Sequence, residues 1–276
     1  MCNVLGISSS GFYYWLSAPQ AKNEKSRLEL LEEIRSIYES SHRIYGSPRI
    51  TAELNRRGRK ISRPYVARLM KEMNIRSKIR RKFRVTTDSD HTYLVAENLL
   101  QRDFSADALS KKWVGDITYI RVNSGWLYLT TVIDLADRKV IGWSFSEDMS
   151  AENTSIAALR MAIKNRGVKE GLIFHSDRGV QYACNPFKLL LEKEGILPSM
   201  SRKGDCWDNA VAESFFKTLK CELVYHRKFS NKGMARLEVF RYIEGFYNKE
   251  RRHSSLGYLT PNEMEKLLIN LQPMAA

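Results

Sequence analysis

The order of strands and helices in the second half of the chain is the strongest constraint on its fold. Two stretches rich in β-branched and aromatic residues, 113–120 and 125–146, predict adjacent strands. Apolar residues occupy both odd and even positions from Trp126 to Ile133, which predicts a central strand buried on both faces. The following segments alternate in type: a helix at 151–166, a strand at 171–176, a helix at 185–194 and a strand at 196–200. This succession predicts a mixed α/β sheet.

Positive charge is concentrated in one segment. Residues 41–84 contain 15 Lys or Arg and two acids, Glu53 and Glu72, so they hold 13 of the 14 excess positive charges of the chain. A compact basic block beside a nearly neutral half is typical of a nucleic-acid-binding unit joined to a second unit. A surface kept basic for solubility usually has acids interspersed. We therefore predict that this block binds nucleic acid.

Three short helices are predicted in and just before the basic block. The first spans 26–40, the second begins at Ser47 and Pro48 and closes at Gly58, and the third follows Ser62. The positions predicted to face a common core are Leu28, Leu31, Ile34, Ile37 and Tyr38 in the first helix and Val66, Leu69, Met70 and Met73 in the third. A tight turn before the last helix predicts a small all-α helix-turn-helix-like domain, whose last helix enters a DNA major groove. A plain three-helix bundle is the alternative.

Basic side chains away from the apolar stripe are the candidate DNA contacts. The segment 75–84 is too basic and too short to be core, and we predict an arm along phosphates. Residues 21–84 would thus form the basic domain with its arm, and residues 85–108, which carry little pattern, a linker. The predicted DNA-binding residues are Arg49, Arg63, Arg68, Lys71, Arg80, Arg81, Lys82, Arg202, Lys203, Lys217 and Lys220.

Three acids in the second half are candidates for catalysis. Asp116 lies within the first predicted strand, Asp177 at the end of the fourth, and Glu213 on a predicted helix at 209–224, where Lys217 and Lys220 share its exposed line. Converging carboxylates repel one another unless cations neutralise them, and hard oxygen ligands suit Mg²⁺ or Mn²⁺. Two such ions ~4 Å apart can assist in-line displacement at phosphorus. Taken alone, three acids are a weak signal, because most Asp and Glu residues are surface residues, caps or salt-bridge partners.

Longer motifs carry a more specific signal. Asp177 and Glu213 are separated by 35 residues, and the surrounding motifs are WVGDITYI (113–120), HSDRGVQY (175–182), SRKGDCWDNAVAESFFKTLKCEL (201–223) and YNKERRHSSLGYLTPNEM (247–264). Together they resemble the bacterial insertion-sequence transposases that are encoded in two overlapping reading frames and carry a retroviral-integrase-type core. HRIYGSPRI (42–50) and RRKFR (80–84) resemble that family's DNA-binding region, so the resemblance covers essentially the whole chain.

The resemblance implies a fold, a site and a chemistry. Residues 109–250 would form a ribonuclease-H-like core and residues 251–276 a C-terminal tail helix. Asp116, Asp177 and Glu213 would be the catalytic ligands of two Mg²⁺ or Mn²⁺ ions, and Lys220 matches a lysine that touches the DNA end in related integrases. Cutting at a transposon end would free a 3′-hydroxyl, which then attacks a second phosphodiester. The first joining would link the two ends in a circle that later integrates.

The resemblance also implies partners. They are double-stranded transposon ends, target DNA, a first-frame protein that is fused or separate, and at least one further copy of the chain on DNA. The first residues, 1–20, are predicted to be helical, and LGISSSGFYYWL (5–16) resembles the last helix of a helix-turn-helix without its first half. We therefore expect the upstream fusion to be the fully active form.

Features of other protein classes are absent from the sequence. No apolar run approaches the ~18 residues of a membrane span, and the first residues lack a signal-peptide pattern. We therefore expect a cytoplasmic protein associated with the bacterial nucleoid. Four scattered cysteines form no disulfide framework or zinc motif.

The sequence leaves other functions open, and several polar residues have a purely structural interpretation. The rival functions are a DNA-binding regulator with structural acids, a ribonuclease acting on RNA–DNA hybrids, and a glycosidase using two carboxylates. We predict that His175 is simply hydrogen-bonded and that Asp134 is a turn residue. Other structural roles are predicted for Asp208 and Asn209, as helix caps, and for Thr260 and Glu263, as a capping box.

Overall fold

Two compact units make up the protein, residues 1–78 and 79–276. The structure, a computed structural model, describes residues 2–17, 22–79, 95–203 and 205–271. Arg80, Arg81 and Lys82 of the predicted arm lie outside the described residues. Within the described part, no helix combines the length and apolar character needed to cross a membrane.

The first unit is helical. Its helices are α1 (Cys2–Leu5), α2 (Ser9–Ser17), α3 (Lys22–Ser40), α4 (Ser47–Arg56) and α5 (Arg63–Glu72). Pro48 and Pro64 lie in the first turns of α4 and α5, where their missing N–H groups cost nothing. The apolar faces of α3, α4 and α5 meet in a core whose fully buried members include Ile34, Ile50, Leu54, Val66 and Leu69.

Two details of the first unit differ from the sequence-based expectation. Leu28 is exposed, and Leu30 is buried in its place, because Leu30, Ile34 and Ile37 follow the i, i+4, i+7 line that faces α4 and α5. Gly46 rather than Ser47 is the N-cap of α4, and Ser47 is already helical.

A five-stranded mixed sheet forms the centre of the second unit. Its strands are β1 (Lys112–Val122), β2 (Gly125–Asp134), β3 (Val140–Ser146), β4 (Ile173–Ser176) and β5 (Leu197–Met200). The spatial order is β3-β2-β1-β4-β5. β2 runs antiparallel to both β3 and β1, and β4 and β5 run parallel to β1. The mixed α/β sheet is confirmed, but β1 is its central strand. Trp126, at the start of β2, is half exposed, so only the later part of β2 is buried on both faces.

Helices cover both faces of this sheet. They are α6 (Ala157–Arg166), which continues a π-helical turn at Glu152–Ile156, α7 (Val180–Ala183), α8 (Asn185–Lys193), α9 (Ala210–Glu222), α10 (Lys232–Phe240), which runs into a π-helical segment at Arg241–Tyr247, and α11 (Pro261–Leu271). Gly142 of β3 faces α6, whereas its neighbour Trp143 packs against Phe240 of α10. Because successive strand residues point to opposite faces, α6 and α10 lie on opposite sides.

The close approach of β3 to α6 provides a test of this packing. A Cβ atom on Gly142 would lie 2.3 Å from the carbonyl oxygen of Ala158 and 2.7 Å from the amide nitrogen of Ala162. Because both atoms belong to the backbone, we expect Gly142→Ala to lower the free energy of unfolding by about 1–3 kcal/mol in urea denaturation. Gly245→Ala, where a Cβ meets nothing within 4 Å, is the matched control and should cause no loss. Equal stability of the two variants would contradict this packing.

The segments that flank the sheet are tied to it. Residues 95–108, which we predicted to be a linker, run beside β5: the Met200 amide donates to the Glu97 carbonyl at 3.3 Å and the Leu99 amide to the Ser199 hydroxyl at 2.9 Å. The predicted capping box is confirmed at α11, where the Glu263 amide donates to the Thr260 hydroxyl and the Thr260 amide donates to the Glu263 carboxylate.

Candidate active site

The pairing of β1 with β4 brings two of the predicted acids to one end of the sheet. These strands are neighbours and parallel, with Val114 opposite His175. Asp116 and Asp177 each follow two residues later, in the same direction along adjacent strands. Their side chains therefore lie near each other where β4 ends, as is usual for functional residues in sheets with parallel strands.

The third acid comes from α9, which packs on β1. Glu213 lies in the first turn of α9, at its end nearest Asn209. Burial, the Asp177 carboxylate and, more weakly, the Glu213 carboxylate raise the pKa of Asp116 well above its ordinary value. Partial burial and Asp177 also raise the pKa of Glu213. The three carboxylates therefore interact electrostatically, and each disfavours the charge of the others.

A lysine faces this group of acids. Lys220, two turns along α9 from Glu213, is half-buried, and burial lowers its pKa while Asp116 opposes that shift. Lys217 is exposed on the same helix. One lysine of the pair thus lies near the acids and the other faces solvent.

Backbone amides hold the two aspartates, and a buried tyrosine lies near them. The Asp116 carboxylate accepts the Ile117 amide at 2.8 Å, and the Asp177 carboxylate accepts the Gly179 amide at 2.9 Å. Under β1, the ring of Tyr182 lies against Gly115, and its buried hydroxyl has no hydrogen-bond partner among the described residues. Burial, then Asp116 and Asp177, raise the pKa of Tyr182, so this hydroxyl stays protonated beside the carboxylates.

The turn before α9 is fixed by a network that the sequence did not predict. Asp208 is fully buried, and its carboxylate accepts hydrogen bonds from Asn98 at 2.9 Å, Arg102 at 2.9 Å and the Arg202 side chain at 2.8 and 2.9 Å. The bond from Arg202 contributes most to holding the pKa of Asp208 below its usual range. Arg102 lies 106 residues from Asp208 in the chain, so no local pattern could have indicated this contact.

Of the two predicted helix caps at this turn, Asn209 is confirmed as the N-cap residue by its position, and Asp208 is wrong. Asp208 lies inside a 3₁₀ turn at Cys206–Asn209, and its carboxylate serves the two guanidinium groups instead of the helix amides. Asn209 is the N-cap residue of α9, but its side chain makes no capping bond. It instead donates to the Gly115 carbonyl at 3.3 Å, which ties the start of α9 to the residue before Asp116.

The remaining charged candidates in this unit have different surroundings. Arg202 is tied to Asp208, whereas Lys203 is exposed on the same loop. His175 is hydrogen-bonded as predicted: Nδ1 lies 2.8 Å from the Ser199 hydroxyl and Nε2 3.2 Å from that of Ser201. Burial lowers the pKa of His175 to about 4, so its ring is neutral at pH 7.

Asp134 belongs to a separate ionic cluster. It ends β2 opposite Trp113, whose indole N–H donates to it at 3.1 Å. Arg166 bridges Asp134 at 3.1 Å and Asp137 at 2.8 Å, and all three side chains are buried. These hydrogen bonds give the Asp134 carboxylate a structural role. The Arg138 amide also donates to the Asp134 carbonyl, as the predicted turn requires.

The far end of α9 is clamped by a second buried pair. The Glu222 carboxylate accepts two hydrogen bonds from Arg251, at 2.8 and 2.9 Å, and one from the Tyr242 hydroxyl at 2.7 Å. Glu222 and Arg251 are 3% and 4% exposed. The helix that carries Glu213 is therefore anchored at both ends by buried ionic groups.

The candidate DNA contacts of the first unit lie on α4 and α5. Arg63 is the first residue of α5, and it is exposed, as are Arg68 and Lys71. Arg68 lies over the ring of Tyr65, with its guanidinium carbon 5.1 Å from the ring centroid. Arg49, on α4, is half-buried and lies over Tyr45. The exposed face of α5 is thus basic.

Known families match nearly the whole chain. A family model described as an integrase core domain matches residues 107–206, a second integrase core domain model matches residues 194–261, and an HTH-like domain model matches residues 25–83. Transposase InsF for insertion sequence IS3A of Escherichia coli K12 is 40% identical over 267 residues, which cover 96% of this chain and 92% of that protein. The chain belongs to the IS3 family of insertion-sequence transposases.

Other similar proteins include an uncharacterized 31 kDa protein of insertion element IS600 from Shigella sonnei. The IS600 protein is 41% identical to this chain over 261 residues, which cover 95% of this chain and 96% of that protein. Among solved structures, the catalytic core domain of BIV integrase covers 58% of this chain and 97% of its own, with 17% identity and a TM-score of 0.42.

Membership in this family confirms several predictions. The resemblance to two-frame insertion-sequence transposases, the ribonuclease-H-like core and the helix-turn-helix-like domain are correct. The transposase is a polynucleotidyl transferase whose general function is transposition. The roles of individual residues, the metal ions and the oligomeric state stay predictions.

Proposed function

We propose that the transposase cuts DNA at transposon ends and transfers the freed strands to a second phosphodiester, at a site formed by Asp116, Asp177 and Glu213. The observation that carries this proposal is the convergence of three mutually interacting carboxylates from β1, the end of β4 and the first turn of α9. A purely regulatory protein gains nothing from such repulsion, because clustered carboxylates destabilise a fold unless a cation joins them.

The donor set fits divalent cations. Asp116 has no basic group at ion-pair distance among the described residues, so its charge is left for another partner. In that same part of the chain, no three His, Cys, Asp or Glu side chains are close enough to enclose one ion. Mg²⁺ commonly binds in such open sites, through one or two carboxylates and substrate phosphate oxygens. We propose that two Mg²⁺ or Mn²⁺ ions bind when DNA is present.

Such ions supply an activated attacking oxygen and stabilise the departing one. In the first step, the oxygen of water bonds to phosphorus, and the bond to the 3′-oxygen breaks to leave a 3′-hydroxyl. In the second step, that hydroxyl attacks another phosphodiester and displaces its 3′-oxygen. One P–O bond forms and one breaks in each step, so no external energy source is needed. The interaction of Lys220 with Asp116 supports a role for Lys220 in holding a DNA phosphate beside that acid, and exposed Lys217 would contact the DNA backbone further out.

The basic first unit would deliver the DNA. We propose that Arg63, Arg68 and Lys71 on α5 contact the transposon end. Arg49 and the arm residues Arg80, Arg81 and Lys82 would contact phosphates, as would Lys203. Arg202 is a weaker candidate than its neighbour because its guanidinium is bonded to Asp208.

Transposition also implies assembly. Two ends must be joined, so we propose that at least two copies of the chain act together on transposon-end and target DNA. We further propose that the first-frame protein takes part, fused or separate, and that the transposase works at the bacterial nucleoid.

Incubation with DNA tests the proposed reaction directly. The chain, alone and fused to its upstream frame, is mixed with a labelled transposon-end duplex in Mg²⁺, in Mn²⁺ or in EDTA. We expect cutting and strand joining in Mg²⁺ and Mn²⁺ and none in EDTA, with DNA binding retained in all three, because the carboxylates need cations to approach a phosphodiester. Activity that persists in EDTA would contradict the metal mechanism. If both the lone chain and the fusion bind DNA but neither cuts it, a regulator would be favoured.

A further inference from the structure

A tryptophan is exposed on the turn that leads into the helix of Glu213. Trp207 lies in the 3₁₀ turn at Cys206–Asn209, between β5 and α9, and it is 68% exposed. Trp126, which is half exposed, contacts the ring of Tyr119, with the ring centroids 6.3 Å apart, and the guanidinium of Arg121, whose central carbon lies 5.9 Å from the Trp126 ring centroid. Among the described residues, Trp207 has no ring-stacking or cation–π contact like those of Trp126.

The backbone that presents this ring is held in place. The next residue, Asp208, is fully buried and bonded to Arg102 and Arg202. Asn209 follows, and it binds the Gly115 carbonyl beside Asp116. Keeping a large apolar ring in water on a fixed turn forgoes the ~1.5–3 kcal/mol that burial of such a side chain provides, which a ligand covering the ring would recover.

The position of the ring indicates what that ligand is. Trp207 precedes Glu213 by six residues, which places it roughly 9–12 Å from that acid along the turn and helix. Lys203 is exposed on the same loop. An exposed aromatic ring on a loop that also carries an exposed basic side chain has the two groups that bind unpaired nucleobases, one for stacking and one for phosphate contacts. The faces of bases inside a duplex are covered by stacking on neighbouring bases, whereas unpaired bases at an opened DNA end are free to stack on a protein ring.

We propose that Trp207 is a stacking platform for an unpaired nucleobase next to the scissile phosphodiester and that it holds the terminal base pairs of the transposon end open. This inference rests on the proposed function, since it takes the three acids as the cutting site. The stacked base would fix the register of the strand, so that one particular phosphodiester reaches the carboxylates.

A binding experiment without cutting tests this inference. Affinities of the full chain are measured in Ca²⁺ for a fully paired transposon-end duplex and for the same duplex with two terminal base pairs replaced by mismatches. We expect the wild type to prefer the mismatched end. Trp207→Ala should lose affinity for that end by about 5- to 150-fold, the range for one stacked base, and Trp207→Phe should keep most of it. Trp126→Ala is the matched control and should behave as wild type.

Each possible outcome is informative. Trp207→Ala that keeps the full preference for mismatched ends would overturn the inference. An equal loss on both duplexes, accompanied by a lower oligomeric state in sedimentation, would overturn it in favour of a contact between copies of the chain. Because no cutting is required, a wild type that never cuts in Mg²⁺ but shows the Trp207-dependent preference would sink the proposed reaction while supporting the stacking platform.

Discussion

Asp177→Asn is expected to lower the rate of cutting at a transposon end by about 10³-fold or more, which corresponds to ~4 kcal/mol of lost transition-state stabilisation. The change is nearly isosteric. The side-chain oxygen of Asn can still accept the Gly179 amide, as Asp177 does at 2.9 Å, so the loop after β4 should keep its shape. What disappears is a negative charge between Asp116 and Glu213, and with it the attraction for divalent cations.

Rates of cutting and affinities for DNA separate this effect from misfolding. Single-turnover cutting of a labelled end duplex in Mg²⁺ gives the rate, and fluorescence anisotropy in Ca²⁺ gives the affinity. We expect the affinity of Asp177→Asn to equal or exceed that of wild type, because repulsion between the carboxylate and phosphate is removed. Glu170→Gln, an exposed acid on the same unit, is the control and should keep both rate and affinity. Cutting by Asp177→Asn at a wild-type rate would refute the proposed active site.

The second large effect concerns stability. Arg251→Met is expected to lower the free energy of unfolding by about 3–5 kcal/mol, because it leaves the buried Glu222 carboxylate without its cation. Glu222→Met combined with Arg251→Met should recover much of that loss, since an apolar pair of similar size removes the buried charge as well. Urea unfolding followed by tryptophan fluorescence measures the wild type, the single variants Arg251→Met and Glu222→Met, and the double variant, and this double-mutant cycle isolates the interaction of the pair.

An exposed ion pair provides the comparison. Arg160 and Glu152 bridge each other with both side chains more than half exposed, and Arg160→Met should change stability by no more than about 0.5 kcal/mol. If Arg251→Met were as mild as Arg160→Met, the C-terminal clamp on α9 would not contribute to the fold. If the double variant were less stable than both single variants, the pair would matter for its geometry and not for its charge.

Local patterns were enough to predict the elements that carry the site. Stretches rich in β-branched and aromatic residues marked β1 and β2. Asp116 within the first strand and Asp177 at the end of the fourth were the acids predicted to converge, and the pairing of β1 with β4 brings them to one end of the sheet. The Thr260 capping box was also predictable, because both partners lie within four residues. In each case, the signal and the contact occupy the same short stretch of chain.

Contacts between distant segments escaped prediction for a physical reason. Asp208 resembles a helix cap in its local sequence, but two arginines, one of them 106 residues away, take its carboxylate. That pairing also changes the interpretation of Arg202, which the basic loop alone assigned to DNA. Glu222 looks like an exposed residue on an amphipathic helix until Arg251 is brought to it. A charged side chain is buried only when its partner arrives, and the sequence near it does not name that partner.

The clamp between Glu222 and Arg251 also has a consequence for how the protein is made. Residues 1–78 form a compact unit of their own. During synthesis, that unit emerges from the ribosome long before Arg251 does. A message interrupted after Glu213 would encode all three acids, yet α9 would lack the guanidinium that anchors its last turn. A copy of the element that carries a late stop codon would then encode a product with the basic unit but without a complete cutting site. Such a product would compete with the intact enzyme for transposon ends.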